Sequence, residues 1–288
     1  MMAQIIDGKL IARNLRQNIR KEVEQYIGQG FRKPGLSVIL VGDDPASQIY
    51  VRNKEKACEK TGFESTIYKL PADIAKDDLF DLIYKLNQDP TVDGILCQLP
   101  LPQHLPKQEV IEAIDPGKDV DGFHPINSGR LFSGIDSLLP CTAAGIIKML
   151  KSIDFQFSGK KALVIGRSNI VGKPTAILLL NENCTVTIAH SKTRNLAVLC
   201  RQADLLVSSA GKENFITPEF TNPEQVIIDV SINRNATGKV VGDVDFAKVE
   251  PVVKAITPVP GGVGPMTIAV LLENTLIAYR NHLKLYEL

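Results

Sequence analysis

A lysine and a tyrosine one turn apart on a predicted helix are the first residues whose types and spacing could support chemistry. Ser47, Tyr50 and Lys54 are separated by three and four positions, which places their side chains on one helix face. The aromatic ring offers a stacking surface, and the amine could transfer a proton. The alternative is a surface lysine that covers its aromatic neighbour, and spacing does not decide between the two.

A polar side chain at the end of a predicted buried strand is the second candidate. Gln98 and Pro100 lie at the carboxyl end of the apolar segment 93–99 (DGILCQL). Open α/β sheets bind ligands at this end of their strands. A partly buried amide must find hydrogen-bond partners, so Gln98 either contacts a ligand or satisfies the backbone of the following loop.

A short acidic loop, residues 118–125 (KDVDGFHP), contains the third candidate, Asp121. Its carboxylate could accept hydrogen bonds from the amino and ring N–H groups of a pterin. The alternative is an Asx-type turn in which Asp121 caps the backbone around Gly122.

Residues 166–174 (GRSNIVGKP) follow a predicted strand and open a predicted helix. Such a junction presents backbone N–H groups and the positive end of the helix to a phosphate. The glycine spacing differs from the GxGxxG fingerprint of dinucleotide sites, so a plain strand-to-helix turn is the alternative. The alternating strands and helices that follow favour a dinucleotide.

The end of the next predicted strand indicates which dinucleotide. An acidic residue there would hold the ribose hydroxyl of NAD, but residues 190–194 read HSKTR. A basic, hydroxyl-bearing loop suits the 2′-phosphate of NADP, and Arg167 could reach the same phosphate with two parallel hydrogen bonds. The alternative is that Lys192 and Arg194 only cap a solvated loop.

Residues 259–267 (VPGGVGPMT) contain three glycines and two prolines just before the last predicted helix. This composition gives the backbone a stiff path and allows a ligand to approach it closely. A structural connector is the alternative.

The elements that must position these residues alternate between strand and helix, which predicts α/β domains with mostly parallel sheets. The first block has strands at 35–41, 65–70 and 93–99, with a helix between Asp44 and Gly62. The second block is Rossmann-like. We therefore expect an α/β fold of two domains with a cleft between them: 1–140, completed by a C-terminal helix at 268–288, and 141–267. Segment 100–141, rich in Pro, Gly and Asp, is expected to be a loop-bearing connection.

Composition excludes several classes of function. Thirty-three basic and 32 acidic residues give a formal charge of +1, without the basic excess expected of a nucleic-acid-binding protein. No apolar run approaches a membrane span, and the N-terminus lacks the pattern of a secretion signal. The five scattered cysteines favour free thiols in a reducing compartment such as the cytoplasm. The four histidines form no close ligand pair, so no metal is expected.

Taken together, six ordered segments resemble the bifunctional methylenetetrahydrofolate dehydrogenase–cyclohydrolase family. The similarity covers nearly the whole chain, in segments at 45–63, 93–102, 118–131, 140–142, 166–174 and 257–267. It implies a homodimeric enzyme without a metal that oxidises methylenetetrahydrofolate with NADP and hydrolyses the methenyl product.

The resemblance also implies roles for individual residues. Lys54 would transfer the proton during hydrolysis, Tyr50 would stack on the folate, Gln98 would hold and tune Lys54, and Asp121 would bind the pterin. The wider expected folate site adds Ser47, Leu99, Pro100, Pro260, Gly261 and Gly262. The expected NADP site comprises Gly166, Arg167, Ser168, Gly172, Pro174, His190, Ser191, Ile232 and Thr267, with Arg167 and Ser191 at the 2′-phosphate.

A lysine has an ordinary pKa of about 10.4, so Lys54 acts as a base at neutral pH only if its pKa is lowered. We expect partial burial and the cationic substrate to lower it.

Two segments depart from the pattern of the family. Ala143 and Ala144 stand where Pro and a basic residue often follow PCT, and Ser231 stands where Gly often precedes Ile232-Asn233, near the expected nicotinamide.

Two other functions are the alternatives: an NADP-dependent dehydrogenase of another small substrate, such as a shikimate-type hydroxy acid, and a silent NADP-binding regulator. Neither accounts for the Tyr50/Lys54 helix together with the 259–267 segment.

Overall fold

A computed structural model describes residues 2–284 and divides them into two compact units. The small-sheet unit comprises Arg13–Cys141 and the described residues from Ile268 onward. The large-sheet unit comprises Thr142–Thr267 and the N-terminal segment through Ala12. The first twelve residues are thus grouped differently from the expected 1–140 domain, because their strand pairs within the larger sheet. Of the expected C-terminal helix at 268–288, residues 285–288 lie outside the described part.

Helices and strands alternate along most of the chain. The helices are α1 (Gly8–Gly28), α2 (Pro45–Thr61), α3 (Lys76–Gln88), α4 (Lys107–Ala113), α5 (Pro125–Phe132), α6 (Cys141–Lys151), α7 (Gly172–Asn181), α8 (Leu196–Arg201), α9 (Phe246–Val249) and α10 (Val263–Leu283). The strands are β1 (Gln4–Ile5), β2 (Gly35–Val41), β3 (Glu64–Leu70), β4 (Gly94–Cys97), β5 (Lys161–Ile165), β6 (Thr185–Ala189), β7 (Leu205–Ser208), β8 (Val226–Asp229), β9 (Asn233–Arg234), β10 (Val240–Val241) and β11 (Ala255–Ile256).

The small-sheet unit is built on a three-stranded parallel sheet in the order β3-β2-β4. All seven residues of the central strand β2 are buried, as expected for a continuous apolar strand covered on both faces. Ile39 and Ile95 of the sheet pack in one core with Leu79 and Ile83 of α3. This core fixes the sheet edge at which Gln98 follows β4.

The large-sheet unit contains a six-stranded parallel sheet in the order β1-β11-β8-β7-β5-β6. Leu163, Leu206, Ile227 and Ile256 come from four neighbouring strands and share one buried core. The carboxyl ends of β5, β7 and β8 therefore lie side by side. Parallel sheets with crossover helices bind dinucleotides at this edge. The mixed α/β fold with parallel sheets confirms the fold class expected from the sequence.

Segment 100–141 bears loops, as expected, but it also includes helices that the sequence did not predict. It contains α4 and α5, two short helices of seven and eight residues. Its Pro, Gly and Asp residues suggested loops, but Pro125 occupies the first turn of α5, where its missing N–H costs nothing. The last helix also begins at Val263 rather than at residue 268, so the second half of the glycine- and proline-rich segment is helical.

Candidate functional site

Helix α2 positions the first candidate residues. The Asp44 carboxylate accepts a hydrogen bond from the Ser47 backbone N–H at 2.7 Å and caps the helix, while Gly62 ends it in a left-handed conformation. Ser47 and Lys54 lie on the buried side, and Tyr50 is half-buried. Lys54 is only 8% exposed, which excludes the alternative of a surface lysine.

Gln98 joins Lys54 to the end of strand β4. The Lys54 Nζ donates to Gln98 Oε1 at 2.9 Å, and Gln98 Nε2 donates to the Leu99 carbonyl at 2.7 Å. The second bond orients the amide so that its oxygen faces the amine. Gln98 therefore satisfies the following loop, as one of its two interpretations predicts, and it also contacts Lys54. Leu99 is half-buried, and Pro100 is exposed behind a cis peptide bond.

Lys54 and Asp121 influence each other electrostatically. Burial lowers the pKa of Lys54, and the negative charge of Asp121 partly offsets that effect. Burial raises the pKa of Asp121 to about 6, although the Lys54 charge opposes the rise. For both groups, the loss of hydration outweighs the attraction between opposite charges. Burial thus disfavours the charged form of each group.

The Asp121 loop is held by its neighbour Asp119. The Asp119 backbone carbonyl accepts from Gly122 N at 3.0 Å, and its buried carboxylate accepts from His124 N at 2.8 Å and Asn127 Nδ2 at 3.0 Å. The Asp119 carboxylate thus holds this loop through a backbone N–H five residues further on, rather than through an Asx turn.

The turn after β5 fits a phosphate-bearing ligand. Gly166 has a φ of +120°, and a Cβ there would overlap Ser209 Oγ, so only glycine allows this tight path. Ser168 Oγ accepts from Val171 N and Gly172 N at 3.2 and 3.3 Å. Ser168 thus closes the turn at the start of α7, where Gly172 and Pro174 are buried and Arg167 is exposed.

The loop after β6 is folded back on itself. His190 N donates to Thr193 Oγ1 at 2.9 Å, and Lys192 N donates to the His190 ring nitrogen at 3.2 Å. Ser191 and Arg194 are exposed. A guanidinium and hydroxyls at the ends of neighbouring strands β5 and β6 form a donor set suited to a phosphorylated nucleotide.

Several other expected residues also lie in the large-sheet unit. Ile232 is half exposed, and Thr267 Oγ1 lies 3.2 Å from Thr142 Oγ1. Pro260 is exposed, whereas Gly261 and Gly262 are buried, and the Gly261 carbonyl accepts from Lys9 N at 3.1 Å. This packing supports a structural part for the glycines beside any ligand contact.

The structure thus brings together Ser47, Tyr50, Lys54, Gln98 and Asp121 in the small-sheet unit. The expected NADP residues and Pro260, Gly261 and Gly262 belong to the large-sheet unit.

Sequence reasoning missed Cys141, a fully buried thiol that interacts electrostatically with Lys54 and Asp121. It also missed the buried carboxylates Asp229 and Asp243. A polar residue ending the apolar strand VIID was the available signal for Asp229.

Metal ligands, membrane helices and disulfides are the other features on which the structure bears. Within residues 2–284, no group of three or more His, Cys, Asp or Glu side chains is placed to hold a metal ion. None of the helices in that range is long and apolar enough to cross a membrane. All five cysteines are buried and free, as expected from their spacing.

Comparison with protein families identifies both parts of the chain. The catalytic-domain profile of the tetrahydrofolate dehydrogenase/cyclohydrolase family matches residues 6–121, and its NAD(P)-binding-domain profile matches residues 140–283. The bifunctional protein FolD of Listeria innocua is 52% identical over 96% of this chain and 97% of its own length. The corresponding protein of Erythrobacter litoralis is 54% identical over 98% and 97%.

Solved structures similar to this chain come from the same family. The bifunctional FolD enzyme of Campylobacter jejuni superposes with a TM-score of 0.95 at 46% identity, over 97% of this chain and 99% of that one. The Trypanosoma brucei enzyme, solved with NADP and an inhibitor, gives 0.94 at 35% identity, over 99% of both chains. Shikimate dehydrogenase of Peptoclostridium difficile gives 0.51 at 12% identity over 87% of this chain and 92% of that one, so that likeness concerns the fold alone. The chain therefore belongs to the tetrahydrofolate dehydrogenase/cyclohydrolase family.

Proposed function

We propose that this bifunctional enzyme oxidises 5,10-methylenetetrahydrofolate to 5,10-methenyltetrahydrofolate with NADP and hydrolyses the product to 10-formyltetrahydrofolate, using Lys54 as the proton-transfer group. The observation that carries the proposal is the buried Lys54 amine, held on Gln98 at 2.9 Å inside the segment that matches the catalytic domain of the family. A buried amine held by a neutral amide is otherwise costly for a fold to maintain.

The oxidation requires orientation rather than acid–base chemistry. When bound, NADP supplies the hydride acceptor. The protein residues have to hold the two reactants in line and exclude water, which is the source of most of the rate advantage in such a step. In this proposal Tyr50 stacks on the folate, Asp121 accepts hydrogen bonds from the pterin, and Ser47, Leu99, Pro100, Pro260, Gly261 and Gly262 complete the folate site.

The hydrolysis requires proton transfer. The oxygen of water bonds to the methenyl carbon, and the neutral Lys54 amine takes one proton from that water. The bond from this carbon to N5 then breaks, N5 receives the proton from Lys54, and the hydroxyl releases its proton to solvent as the formyl group forms. Lys54 is suited to this role because burial lowers its pKa and so favours the neutral amine more than in an exposed lysine.

Gln98 is a positioning residue in this step. Its amide oxygen aims the Lys54 amine, and its own orientation is fixed by the bond to the Leu99 carbonyl. A neutral acceptor is important, because a carboxylate at the same distance would favour the ammonium form and remove the base.

The preference for NADP over NAD rests on the loops after β5 and β6. The residue after β6 is His190 rather than an acid, and Arg167 and Ser191 are exposed. A carboxylate at this place would bind the ribose hydroxyl of NAD and repel a phosphate, whereas a guanidinium and a hydroxyl attract one. Gly166, Ser168, Gly172 and Pro174 shape the turn for the diphosphate, while Ile232 and Thr267 complete the site.

A coupled assay with the purified protein tests the proposed function. Methylenetetrahydrofolate is supplied with either NADP or NAD, and NADPH and methenyl absorbance are followed together. We expect turnover with NADP, weaker turnover with NAD, and methenyl absorbance that rises and then decays. Binding of NADP without turnover of methylenetetrahydrofolate would contradict the proposal and support a silent regulator.

We also propose a homodimer in the cytoplasm. The five buried free thiols are consistent with a reducing compartment. Light scattering on the purified protein should give twice the 31.5 kDa chain mass, and a monomeric mass at micromolar concentration would contradict the dimer.

A further inference from the structure

One buried carboxylate in the large-sheet unit connects two loops that follow neighbouring strands. Asp243 is 0% exposed and lies between β10 and α9. Its carboxylate accepts five hydrogen bonds, from Ser208 Oγ (2.8 Å), Ala210 N (2.7 Å), Ser231 Oγ (2.8 Å), Lys212 N (2.8 Å) and Asn233 Nδ2 (3.2 Å). A buried charge with this many donors holds its surroundings in one arrangement, because moving any of them leaves it unsatisfied.

A second carboxylate fixes the backbone of Asp243. Asp229, at the end of β8, accepts from Asp243 N at 3.0 Å and from Val244 N at 2.8 Å. Gly242 allows this approach, since a Cβ there would overlap the Asp229 carboxylate. Asp229 therefore fixes the backbone at Asp243, and the Asp243 side chain in turn holds residues 208–212 and 231–233.

The strand order shows which part of a dinucleotide these two loops would meet. Strands β6, β5, β7 and β8 lie side by side, and their carboxyl ends share one edge. The loop after β6 carries the residues suited to the 2′-phosphate, and the turn after β5 suits the diphosphate. A dinucleotide extended along this edge places its nicotinamide half at the loops that follow β7 and β8.

We propose that Asp243 is a positioning residue that holds residues 208–212 and 231–233 in the arrangement that receives the nicotinamide half of NADP, with Ser231 as the link between them. The Ser231 hydroxyl donates to Asp243 and accepts from Gly211 N at 3.1 Å, so it joins both loops to one anchor. Ser231, which departs from the glycine frequent in the family, adds a connection that glycine cannot make. This inference rests on the proposed use of NADP.

The test compares two ligands by titration calorimetry on the full-length protein. NADP contacts both halves of the site, whereas adenosine 2′,5′-bisphosphate contacts the 2′-phosphate half and lacks the nicotinamide. In Asp243→Asn, the new amide N–H₂ faces groups that are themselves donors, and at least one charged hydrogen bond of the carboxylate is lost. The affinity for NADP should therefore fall about tenfold or more. Affinity for adenosine 2′,5′-bisphosphate should be unchanged. Asp245→Asn is the matched control, because that carboxylate contacts only the exposed Lys248 among the side chains of residues 2–284, and it should leave both affinities unchanged.

Ser231→Ala provides a second route if Asp243→Asn folds poorly. It removes one of the five donors and should produce a smaller loss that again affects NADP alone. Hydrogen exchange of the ligand-free variants should be faster at the amides of Ala210 and Lys212 than in the wild type.

Equal loss of both ligands, or no loss of either, in the folded variants would overturn the role of Asp243 while leaving the proposed function intact. Failure of the wild-type protein to bind NADP would overturn both.

Discussion

Each unit of this chain buries a pair of interacting ionisable side chains, and the two pairs are held in opposite ways. In the large-sheet unit, the carboxyl groups of Asp229 and Asp243 are neighbours, fixed backbone N–H groups donate to both, and hydroxyl groups also donate to Asp243. In the small-sheet unit, Lys54 and Asp121 carry opposite charges, and the Lys54 amine donates to the neutral amide of Gln98. Neither arrangement is the direct ion pair that burial usually requires.

The difference indicates a structural part for the pair in the large-sheet unit and proton transfer for the pair in the small-sheet unit. A carboxylate that accepts several fixed donors keeps its position and transmits order to the loops around it. An amine whose burial lowers its pKa and whose acceptor is uncharged releases its proton more readily than an exposed lysine does. We therefore expect changes at Asp229 to affect mainly stability, and changes at Lys54 to affect mainly hydrolysis.

The largest expected effect is on hydrolysis in Lys54→Met. Methionine fills the space of the aliphatic stem but cannot accept a proton, so hydrolysis of methenyltetrahydrofolate should fall about 10²- to 10⁴-fold, the usual contribution of a general base. Dehydrogenase activity should persist, and the free energy of unfolding should not fall, because a costly buried amine is removed. Lys56→Met, at an exposed position of the same helix, is the control and should change neither activity.

Asp229→Ala should show the reverse behaviour. It leaves three backbone donors of residues 231, 243 and 244 without their acceptor. At about 1 kcal/mol or more for each unsatisfied group, the free energy of unfolding should fall by about 3 kcal/mol or more in denaturant titrations. Hydrolysis per folded molecule should remain. Asp245→Ala, which loses a contact with the exposed Lys248, should cost about 1 kcal/mol or less. Equal costs for the two variants would contradict the structural role of Asp229.

Gln98→Glu should convert the hydrogen bond between Lys54 and Gln98 into an ordinary ion pair. A carboxylate beside the Lys54 amine raises the pKa of Lys54 by about 1 to 3 units, so the rising limb of the hydrolysis pH profile should move to higher pH. Near pH 7 the rate should then fall about tenfold or more. Gln108→Glu on the exposed side of α4 should leave the profile in place, and an unmoved profile in Gln98→Glu would count against Gln98 as the group that tunes Lys54.

A smaller effect concerns stability against pH. Burial raises the pKa of Asp229 to about 7 from an ordinary value of 3.8. The folded state therefore holds this proton to higher pH than the unfolded state, so stability contributed by the protonated form is complete below pH 3.8 and is lost as pH rises toward 7. The difference in unfolding free energy between the wild type and Asp229→Asn should change across that window, by at most about 1.4 kcal/mol per pH unit. A constant difference would contradict the raised pKa.

The sequence predicts local features of this fold better than contacts between distant segments. Strand β2 and helix α2 are predictable because an unbroken apolar run, an Asp44 cap and a Gly62 stop are all local signals. The two-residue strands β1 and β11 carry no such signal, since the larger sheet defines them. Helices α4 and α5 were missed because each has about two turns among residues typical of loops.

The same limit applies to the candidate site. Lys54 and Gln98 were recognised from a helix face and a strand end, but their contact joins positions 44 residues apart and became visible only in three dimensions. Asp243 gathers partners from two loops that precede it by 10 to 35 residues. No periodic pattern encodes such a cluster, because each partner is an ordinary turn residue in its own segment.

Direct titration of the lysine side chains tests the central claim that burial prepares Lys54 to act as a base. Protein labelled with ¹³C at the lysine ε-carbons is followed by NMR over a range of pH, and the Lys54 signal is assigned by its loss in Lys54→Met. We predict that the pKa of Lys54 lies clearly below the ordinary value of about 10.5 and below those of the exposed lysines. A Lys54 signal that titrates together with the exposed lysines would contradict the account.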